Sequence, residues 1–489
     1  MRLTTAIAVT ILSSSATVSH LRAATITVTN TNDDGIGSLR QALANANDGD
    51  TINFAVIGTI GLTSGELLVE KNVIISGPGA EALAVDGNAS SRVFHIEPGK
   101  IVSISGLTFT NGSTDSENGG GILNDHATLT MSNCAVQNSY AISNRGGGIY
   151  NDGSAGSAEL TILNSTISKN ITSFAGGGIY NDAINGGNAT LTITNSTVDG
   201  NGAAFNEIPS GGGEGGGIYN ASGTVIITTS VVSDNLAGVN DNFPSGDGGG
   251  ISNWGIMTII DSTITNNSTF FLGGGISNAG TLTITGSTIN GNLAEGQHDQ
   301  KLFGTGGGIA GTVTLINSTV SDNSAPVGGG GLQGGGVVTN STISGNTNGG
   351  ISVTGNISLE IGSTILNAGE LGPNISNTGG TITSQGYNIS SDNGGGYLTG
   401  PGDQINTDPM IGPLQNNGGP TLTHALLLGS PAINAGDPNF IPPPFYDQRG
   451  SPFVRVFDGR VDIGAFEMQP RPAPAPRSRP TPVPRRTPR

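Results

Sequence analysis

Two aspartates at matching positions are the residues of this chain whose spacing could support catalysis. Asp152 and Asp182 each follow a copy of the hexapeptide GGGIYN, at 146–151 and 176–181. If the copies stack as neighbouring strands, the two carboxylates lie one repeat apart, about 5 Å. A pair at that separation suits a retaining glycoside hydrolase, or a weak cation site. The alternative is that both aspartates only form turns.

Three tyrosines of the same motif form a candidate ligand-binding group. They are Tyr150, Tyr180 and, in a third copy at 215–220, Tyr219. If the Ile of each copy points inward, the Tyr that follows it points outward. An exposed aromatic row could stack on sugar rings. The row could equally stack only on itself and stabilise a sheet.

Other catalytic patterns are missing from the sequence. A polysaccharide lyase needs a base, usually Lys or Arg, beside an acidic sugar. Between residues 113 and 400 the basic side chains are Arg145, Lys169 and Lys301, which occupy unlike repeat positions. The sequence contains no HExxH, GxSxG or GxxxxGK[ST] motif. We therefore predict no cofactor and no metal, and we favour a protein without catalytic activity.

The histidines downstream of the leader show no spacing typical of metal ligands. They are His95, His126, His298 and His424. The single cysteine, Cys134, occupies a position where other repeats have Ser, as in NCAV against NSTI. We expect it to be a small buried residue.

The elements that must position these residues form an internal repeat. Each GGGI is followed by an alternating run that ends in Asn, such as LTILNSTISKN at 160–170. The final Asn residues step by 31, 34, 32, 25, 31 and 23 positions, and they are Asn170, Asn201, Asn235, Asn267, Asn292, Asn323 and Asn346. Alternation points Leu, Ile and Val to one face and Thr to the other. A single coil cannot bury that apolar face, whereas stacked coils can.

We predict an all-β protein, a right-handed parallel β-helix with a short N-terminal capping helix and a loop-rich C-terminal cap. The repeated Asn is expected to stack into an amide ladder, and the glycines to form corners. Ser38 and Gln41 have capping-box spacing, and an apolar stripe through Leu39, Ala42, Leu43 and Ala46 follows. This helix is expected to cover the open end of the solenoid.

Five segments are predicted along the chain. Residues 1–24 resemble an export signal, with an early Arg and a short apolar run. Residues 25–112 form the N-terminal cap and irregular coils, 113–400 the repeats and 401–468 a terminal domain. Residues 469–489 are a Pro/Arg-rich tail expected to be disordered. No transmembrane helix is predicted in the mature chain.

Charge is unevenly distributed between these segments. The formal net charge is −17. Outside residues 1–24 and the tail, the chain contains ten Lys or Arg and 35 Asp or Glu, which gives a net charge of −25. Such a body repels phosphate backbones, so no nucleic-acid partner is expected.

The terminal domain concentrates charged residues in a chain that is otherwise poor in them. These residues are Asp447, Arg449, Arg460, Asp462 and Glu467. Arg–carboxylate pairs can fix a loop-rich cap that has little apolar core. We interpret the group as a structural ion-pair network, with catalysis as the alternative.

The terminal domain also contains DPMIGPLQNNGGPTLTHALLLGSPAINAGD, DQRG and DIGAFE. Through these motifs, residues 406–467 resemble the choice-of-anchor Q domain of bacterial exported proteins. The GGGI motifs and the runs ending in Asn resemble right-handed parallel β-helix repeats, including those of polymorphic outer-membrane proteins. The resemblance implies a secreted or surface protein of bacteria with a variable C-terminal anchor. The chain departs from that pattern because it has no apolar segment followed by a basic stop.

Two functions follow as expectations. The first is a non-enzymatic exported or cell-surface scaffold for adhesion, envelope or matrix, with extracellular polysaccharide or cell-envelope components as partners. The alternative is a polysaccharide-active enzyme, a glycoside hydrolase or lyase, on the same β-helix.

Overall fold

The computed structural model describes residues 23–203, 213–238, 246–298, 301–369 and 371–469. The predicted signal peptide up to residue 22 and the tail from residue 470 lie outside the described residues. No described helix is both long enough and apolar enough to cross a membrane.

Four rows of strands, each from successive coils, run along the molecule, and the first two rows belong to one 24-stranded sheet. The first row consists of Leu67–Val69, Phe94–Ile96, Ile122–Asp125, Ile149–Asp152, Ile179–Asp182, Ile218–Ala221, Ile251–Asn253, Ile276–Asn278, Ile351–Thr354 and Ile375–Thr378. The second row consists of Thr25–Val28, Thr51–Phe54, Ile74–Ser76, Ile101–Ser105, Thr128–Ser132, Ser157–Leu163, Asn188–Thr194, Thr224–Thr228, Ile256–Ile260, Thr281–Thr285, Ser358–Gly362 and Thr381–Gly386. Two longer strands span both rows, Ile309–Ile316 and Leu332–Thr339.

The third and fourth rows form separate sheets. The third row consists of Gly58–Gly61, Leu83–Asp86, Thr108–Thr110, Ala135–Gln137, Thr166–Ser168, Thr197–Asp199, Val231–Ser233, Thr263–Thr265, Thr288–Asn290, Thr319–Ser321, Thr342–Ser344, Ile365–Asn367 and Ile389–Ser390. The fourth consists of Ser113–Thr114, Tyr140–Ala141, Ile171–Thr172, Gly202–Ala203, Leu236–Ala237, Ser268–Thr269 and Leu293–Ala294. Pairing within these rows is parallel, which confirms the predicted parallel β-helix.

Within the described part of the chain, three strand pairs lie outside the rows. Gly213–Glu214 pairs in parallel with Gly246–Asp247. The other two pairs are antiparallel, Gln297–His298 with Lys301–Leu302 and Ile411–Gln415 with Thr423–Leu426. A single turn of 3-10 helix covers Gly394–Gly396.

One apolar core runs through the coils because each strand alternates inward and outward side chains. In Asn188–Thr194, for example, Leu191 and Ile193 are buried and the flanking threonines are half-buried. The same core cluster extends from Val28 to Leu398. Each fully buried Ile or Leu contributes about 1.5–3 kcal/mol to folding.

Hydrogen-bonded ladders of polar side chains hold successive coils in register. The predicted Asn ladder is present, with Nδ2 of Asn201 donating to Oδ1 of Asn235 at 2.9 Å and Asn235 to Asn267 at 2.9 Å. The Asn of the GGGIYN motif forms a second, unpredicted ladder, in which Asn151 donates to Asn181 at 2.7 Å. Stacked coils therefore satisfy amides that would be costly to bury alone.

A serine ladder runs beside the second row, and Cys134 stands at its first position. The Cys134 amide donates to Ser165 Oγ at 3.0 Å, and the Ser165 amide donates to Ser196 Oγ at 3.0 Å. Cys134 is buried, as predicted, and burial raises the pKa of its thiol.

The glycine triplets form tight corners. Gly146 has φ of 69°, a left-handed conformation that favours glycine. A Cβ on Gly147 would lie 2.5 Å from the carbonyl oxygen of Gly177 in the next coil. The triplets are therefore scaffold, repeated because each coil makes the same bend.

A short helix covers the first coils, as predicted. It spans Leu39–Asn45, and the Ser38 side chain accepts a hydrogen bond from the Gln41 amide at 3.1 Å. Leu39, Ala42 and Leu43 are buried in the main core cluster. The Gln41 side chain bonds Asn45 rather than completing a reciprocal capping box.

The terminal cap is fixed by buried charged groups. Arg449 forms an ion pair with Asp447, and its guanidinium lies 3.8 Å from the ring centroids of both Phe453 and Phe466. Arg460 departs from the predicted network because it donates to the carbonyl oxygen of Gly436, at 2.6 Å.

An arginine that sequence analysis did not single out joins the cap to the solenoid. Arg455 is fully buried and donates to Asn340 Oδ1 at 3.1 Å and to the Gly464 carbonyl at 2.6 Å. Since Asn340 belongs to a solenoid turn, this side chain ties the cap to the coils beneath it.

Candidate functional site

The five predicted site residues lie on the first row of strands and face away from the core. Tyr150 pairs in register with Tyr180, and Asp152 with Asp182. Tyr180 pairs in turn with Tyr219. Side chains alternate along a strand, so the Ile and Asn of the motif point inward while the Tyr and Asp point outward. The predicted stacking of these five residues on successive strands is therefore present.

The tyrosine rings stack on one another. The ring centroids of Tyr150 and Tyr180 are 5.1 Å apart, and those of Tyr180 and Tyr219 are 4.8 Å apart. Tyr150 and Tyr180 are only 3% and 4% exposed, so the expectation of an exposed row is wrong for both. The reason is that the corner segments fold over the rings, with Arg145 placed 5.5 Å from the Tyr180 centroid and Ala175 packed in the same cluster.

Tyr150 and Asp182 form a hydrogen bond between coils. The Tyr150 hydroxyl donates to Asp182 Oδ2, and the Ile184 amide donates to Asp182 Oδ1 at 3.0 Å. Burial, reinforced by the Asp182 carboxylate, raises the pKa of Tyr150. Both oxygens of Asp182 are therefore engaged within the protein.

Asp152 combines a turn-forming role with a place in a second cluster. Its Oδ1 accepts from the Ser154 amide at 3.0 Å and from the Ser154 hydroxyl at 2.6 Å. Asp125 precedes it in register by one coil. Donor atoms of Asp125, His126 and Asp152 all lie within 4.8 Å of one another, and the three side chains are half-buried.

His126 links the two coils of this cluster. Its Nδ1 faces Asp125 Oδ1, and its Nε2 donates to the Ser154 carbonyl oxygen at 2.7 Å. The hydrogen bond with Asp125, followed by the one with Ser154, raises the pKa of His126. The imidazole therefore sits in an environment that favours a positive charge.

A second histidine approaches from the preceding coil. His95 Nδ1 lies 3.3 Å from Glu66 Oε1, and its Nε2 lies 3.5 Å from Asp125 Oδ2. Burial opposes protonation of His95, but the interaction with Glu66 outweighs it and raises the pKa. Glu66 also forms an ion pair with the buried side chain of Arg92.

An exposed aromatic side chain lies further along the same face. Trp254 is 52% exposed, and its Nε1 donates to Glu214 Oε2 at 3.1 Å. Ser252, the in-register neighbour of Tyr219, donates to the same oxygen at 3.2 Å. Burial, and then the Glu214 charge, raises the pKa of Asp247 to about 6. This group offers an accessible ring beside a carboxylate.

The cluster of His95, Asp125, His126 and Asp152 is not evident from sequence because it joins residues of three coils. No short motif connects Asp125 to His95, 30 positions earlier, or to Asp152, 27 positions later. A signal was nevertheless present, since GGGILN at 119–124 is followed by Asp125 just as GGGIYN is followed by Asp152. Asp125, Asp152 and Asp182 thus occupy the same position after three successive copies of the motif.

No protein-family model matches the chain, and no curated protein matches it. Among solved structures, the pectate lyase Pel9A matches with a TM-score of 0.41 and 14% identity, covering 91% of this chain and 96% of the lyase. A GH87 α-1,3-glucanase from Streptomyces thermodiastaticus matches with 0.43 and 13%, covering 74% and 68%. The A-module of the mannuronan C-5 epimerase AlgE6 from Azotobacter vinelandii matches with 0.34 and 13%, covering 72% and 97%. Such low identities and TM-scores carry no information on activity or substrate.

Proposed function

We propose that this chain is a non-enzymatic, exported or cell-surface β-helical scaffold for adhesion, envelope or matrix. The observation that carries the proposal is the use of the candidate catalytic groups within the fold. Both carboxylate oxygens of Asp182 accept hydrogen bonds, from Tyr150 and Ile184, and one oxygen of Asp152 accepts from Ser154. A glycosidase pair needs one carboxyl free to protonate the leaving group and another free to attack the sugar.

The proposed partner is an extracellular polysaccharide or another cell-envelope component, bound on the outer face of the first row. Trp254 and the half-buried Tyr219 supply aromatic surface. Glu214 accepts a hydrogen bond from Trp254 and also interacts with the Tyr219 side chain. Aromatic rings stack on the apolar faces of sugars, while a carboxylate can accept hydrogen bonds from sugar hydroxyls. This arrangement replaces the buried Tyr150 and Tyr180 as the accessible part of the predicted binding row.

A polysaccharide-active enzyme is the second candidate, and one observation favours it. Asp125, His126 and Asp152 bring two carboxylates and an imidazole together on a half-buried part of the surface. Groups of this kind can serve as general acid and base.

Incubating the purified protein with a panel of polysaccharides separates the two candidates. The scaffold proposal predicts retention on at least one glycan without any released product, and weaker retention for Trp254→Ala. Ile256→Ala, which removes an exposed apolar side chain from the neighbouring row, is the matched control. Product formation that is abolished by Asp152→Asn, in a variant that still folds, would instead establish the enzyme.

A further inference from the structure

We infer that Asp125, His126 and Asp152 form a binding site for a divalent transition-metal cation of the Zn²⁺ class, which links two successive coils. Asp125 and Asp152 are register partners in adjacent first-row strands, and His126 follows directly after Asp125. The three donor atoms lie within 4.8 Å of one another. Ligands of one zinc ion lie about 2.0–2.2 Å from it, so small side-chain rotations bring all three into coordination.

The orientation of His126 suits metal binding. The Ser154 carbonyl oxygen can only accept a hydrogen bond, so the His126 Nε2 that lies 2.7 Å from it carries the hydrogen. The Nδ1 atom then presents its lone pair to the carboxylates whenever the ring is neutral. Metal-bound histidines commonly donate their other ring N–H to a backbone carbonyl in this way.

His95 is an independent observation that points to a ligand at the same place. Its Nε2 is buried, lies 3.5 Å from Asp125 Oδ2, and forms no hydrogen bond with any described residue. Its other ring nitrogen faces Glu66, the carboxylate–histidine arrangement that orients metal ligands. A second imidazole nitrogen is thus aimed at the edge of the proposed site.

The donor set selects the chemical class of the ion. Imidazole nitrogen with carboxylate oxygen suits Zn²⁺ and neighbouring transition metals, whereas Ca²⁺ and Mg²⁺ are bound through oxygen. Three protein ligands leave a coordination position for water. All three side chains are half-buried rather than enclosed, and His126 also lines an open groove of about 550 Å³ together with Lys100 and Glu159.

Calorimetric titration of the chelator-treated, tag-free protein with ZnCl₂ at neutral pH tests the inference. We expect one Zn²⁺ per chain, no comparable binding of Ca²⁺, and a higher melting temperature with Zn²⁺ present. His126→Asn and Asp152→Asn should each lower the affinity by about tenfold or more. Asn suits position 126 because His126 has φ of 49°, a conformation that Asn tolerates.

Glu159→Gln is the matched control, because it removes an exposed carboxylate of the same groove without touching the three ligands. It should retain wild-type affinity. Circular dichroism verifies that each variant is folded. If Asp152→Asn does not fold, the affinity of His126→Asn alone tests the inference. The inference is overturned if the wild type binds no Zn²⁺, or if its affinity is unchanged in folded His126→Asn. Either result leaves the proposed scaffold function standing.

Discussion

Tyr150 is joined to the next coil through both its ring and its hydroxyl group. The ring stacks on Tyr180, and the hydroxyl donates to the carboxylate of Asp182, which is itself 1% exposed. A buried carboxylate is costly unless it accepts hydrogen bonds. At the scale of single residues, this pair therefore contributes to stability by connecting neighbouring coils.

We predict that Tyr150→Phe lowers the free energy of unfolding by about 1.5–3 kcal/mol, because it keeps the ring but removes a hydrogen bond to a charged group. Urea unfolding of Tyr150→Phe, Asp182→Asn and the double variant measures the coupling. A coupling energy of about 0.5–3 kcal/mol is expected for residues in contact. Strictly additive effects would show that the hydroxyl does not stabilise the buried carboxylate.

At the scale of elements, the Asn ladders connect each turn to the next. Asn235 Oδ1 accepts from the Asn201 side chain and also from the Asn201 amide, while its Nδ2 donates to Asn267 and to the Val198 carbonyl. Every amide in the middle of the ladder is therefore both donor and acceptor. Removing one of these amides therefore leaves buried donors and acceptors without a hydrogen-bond partner in the two neighbouring coils.

Asn235→Ala is expected to lower the free energy of unfolding by about 2–4 kcal/mol, since buried donors of Asn201 lose their acceptor. Asn195, an exposed residue of a neighbouring turn, provides the control. It has φ of 48°, so Asn195→Gly keeps the backbone conformation and should cost under about 1 kcal/mol. Equal losses in both variants, measured by urea unfolding, would contradict a stabilising role for the ladder.

We expect the stability of the folded protein to depend on pH through Glu467 in the terminal cap. Burial, and then the charge of Asp462, raises the pKa of Glu467 from 4.5 to about 8. Between these values the folded state binds more protons than the unfolded state, so this group makes stability fall as pH rises. Glu467→Gln removes the titration.

Melting temperatures of wild type and Glu467→Gln across this range test the effect. We expect the wild type to lose stability relative to the variant from about pH 4.5 to about pH 8, and the difference to stay constant above that. A difference that is independent of pH throughout would show that Glu467 titrates normally in the folded protein.

At the scale of the whole molecule, the outer face of the first row of strands carries the candidate binding residues of the β-helix. The charged and aromatic members of that face are concentrated between the coil of Glu66 and the coil of Trp254. After Tyr219, the first-row positions in the same register are small or neutral, namely Ser252, Ser277, Ala310 and Gln333. Any partner of this face is therefore expected to contact the N-terminal half of the rod.

The proposed location outside the cytoplasm is tested by fractionating cells that express the full chain or a chain ending at residue 468. The full chain is expected outside the cytoplasm. Retention on the cell that depends on residues 469–489 would assign the Pro/Arg tail to attachment through an anionic envelope. Equal release of both chains would show that the tail is not needed for retention. Accumulation of the full chain in the cytoplasm would contradict the proposal.

The sequence by itself determined the parallel β-helix, the ladder from Asn170 to Asn346 and the capping helix that begins after Ser38. These features are local or periodic, so residue type and spacing report them directly. Only the tertiary structure decided that Tyr150 and Tyr180 are covered.

It also decided that His95 lies beside Asp125 and that Arg455 joins the cap to Asn340. The physical reason is that these contacts join different coils or come from corner segments of unequal length. Spacing along the chain fixes which strands stack, but the packing of each corner over its neighbours depends on the folded chain as a whole.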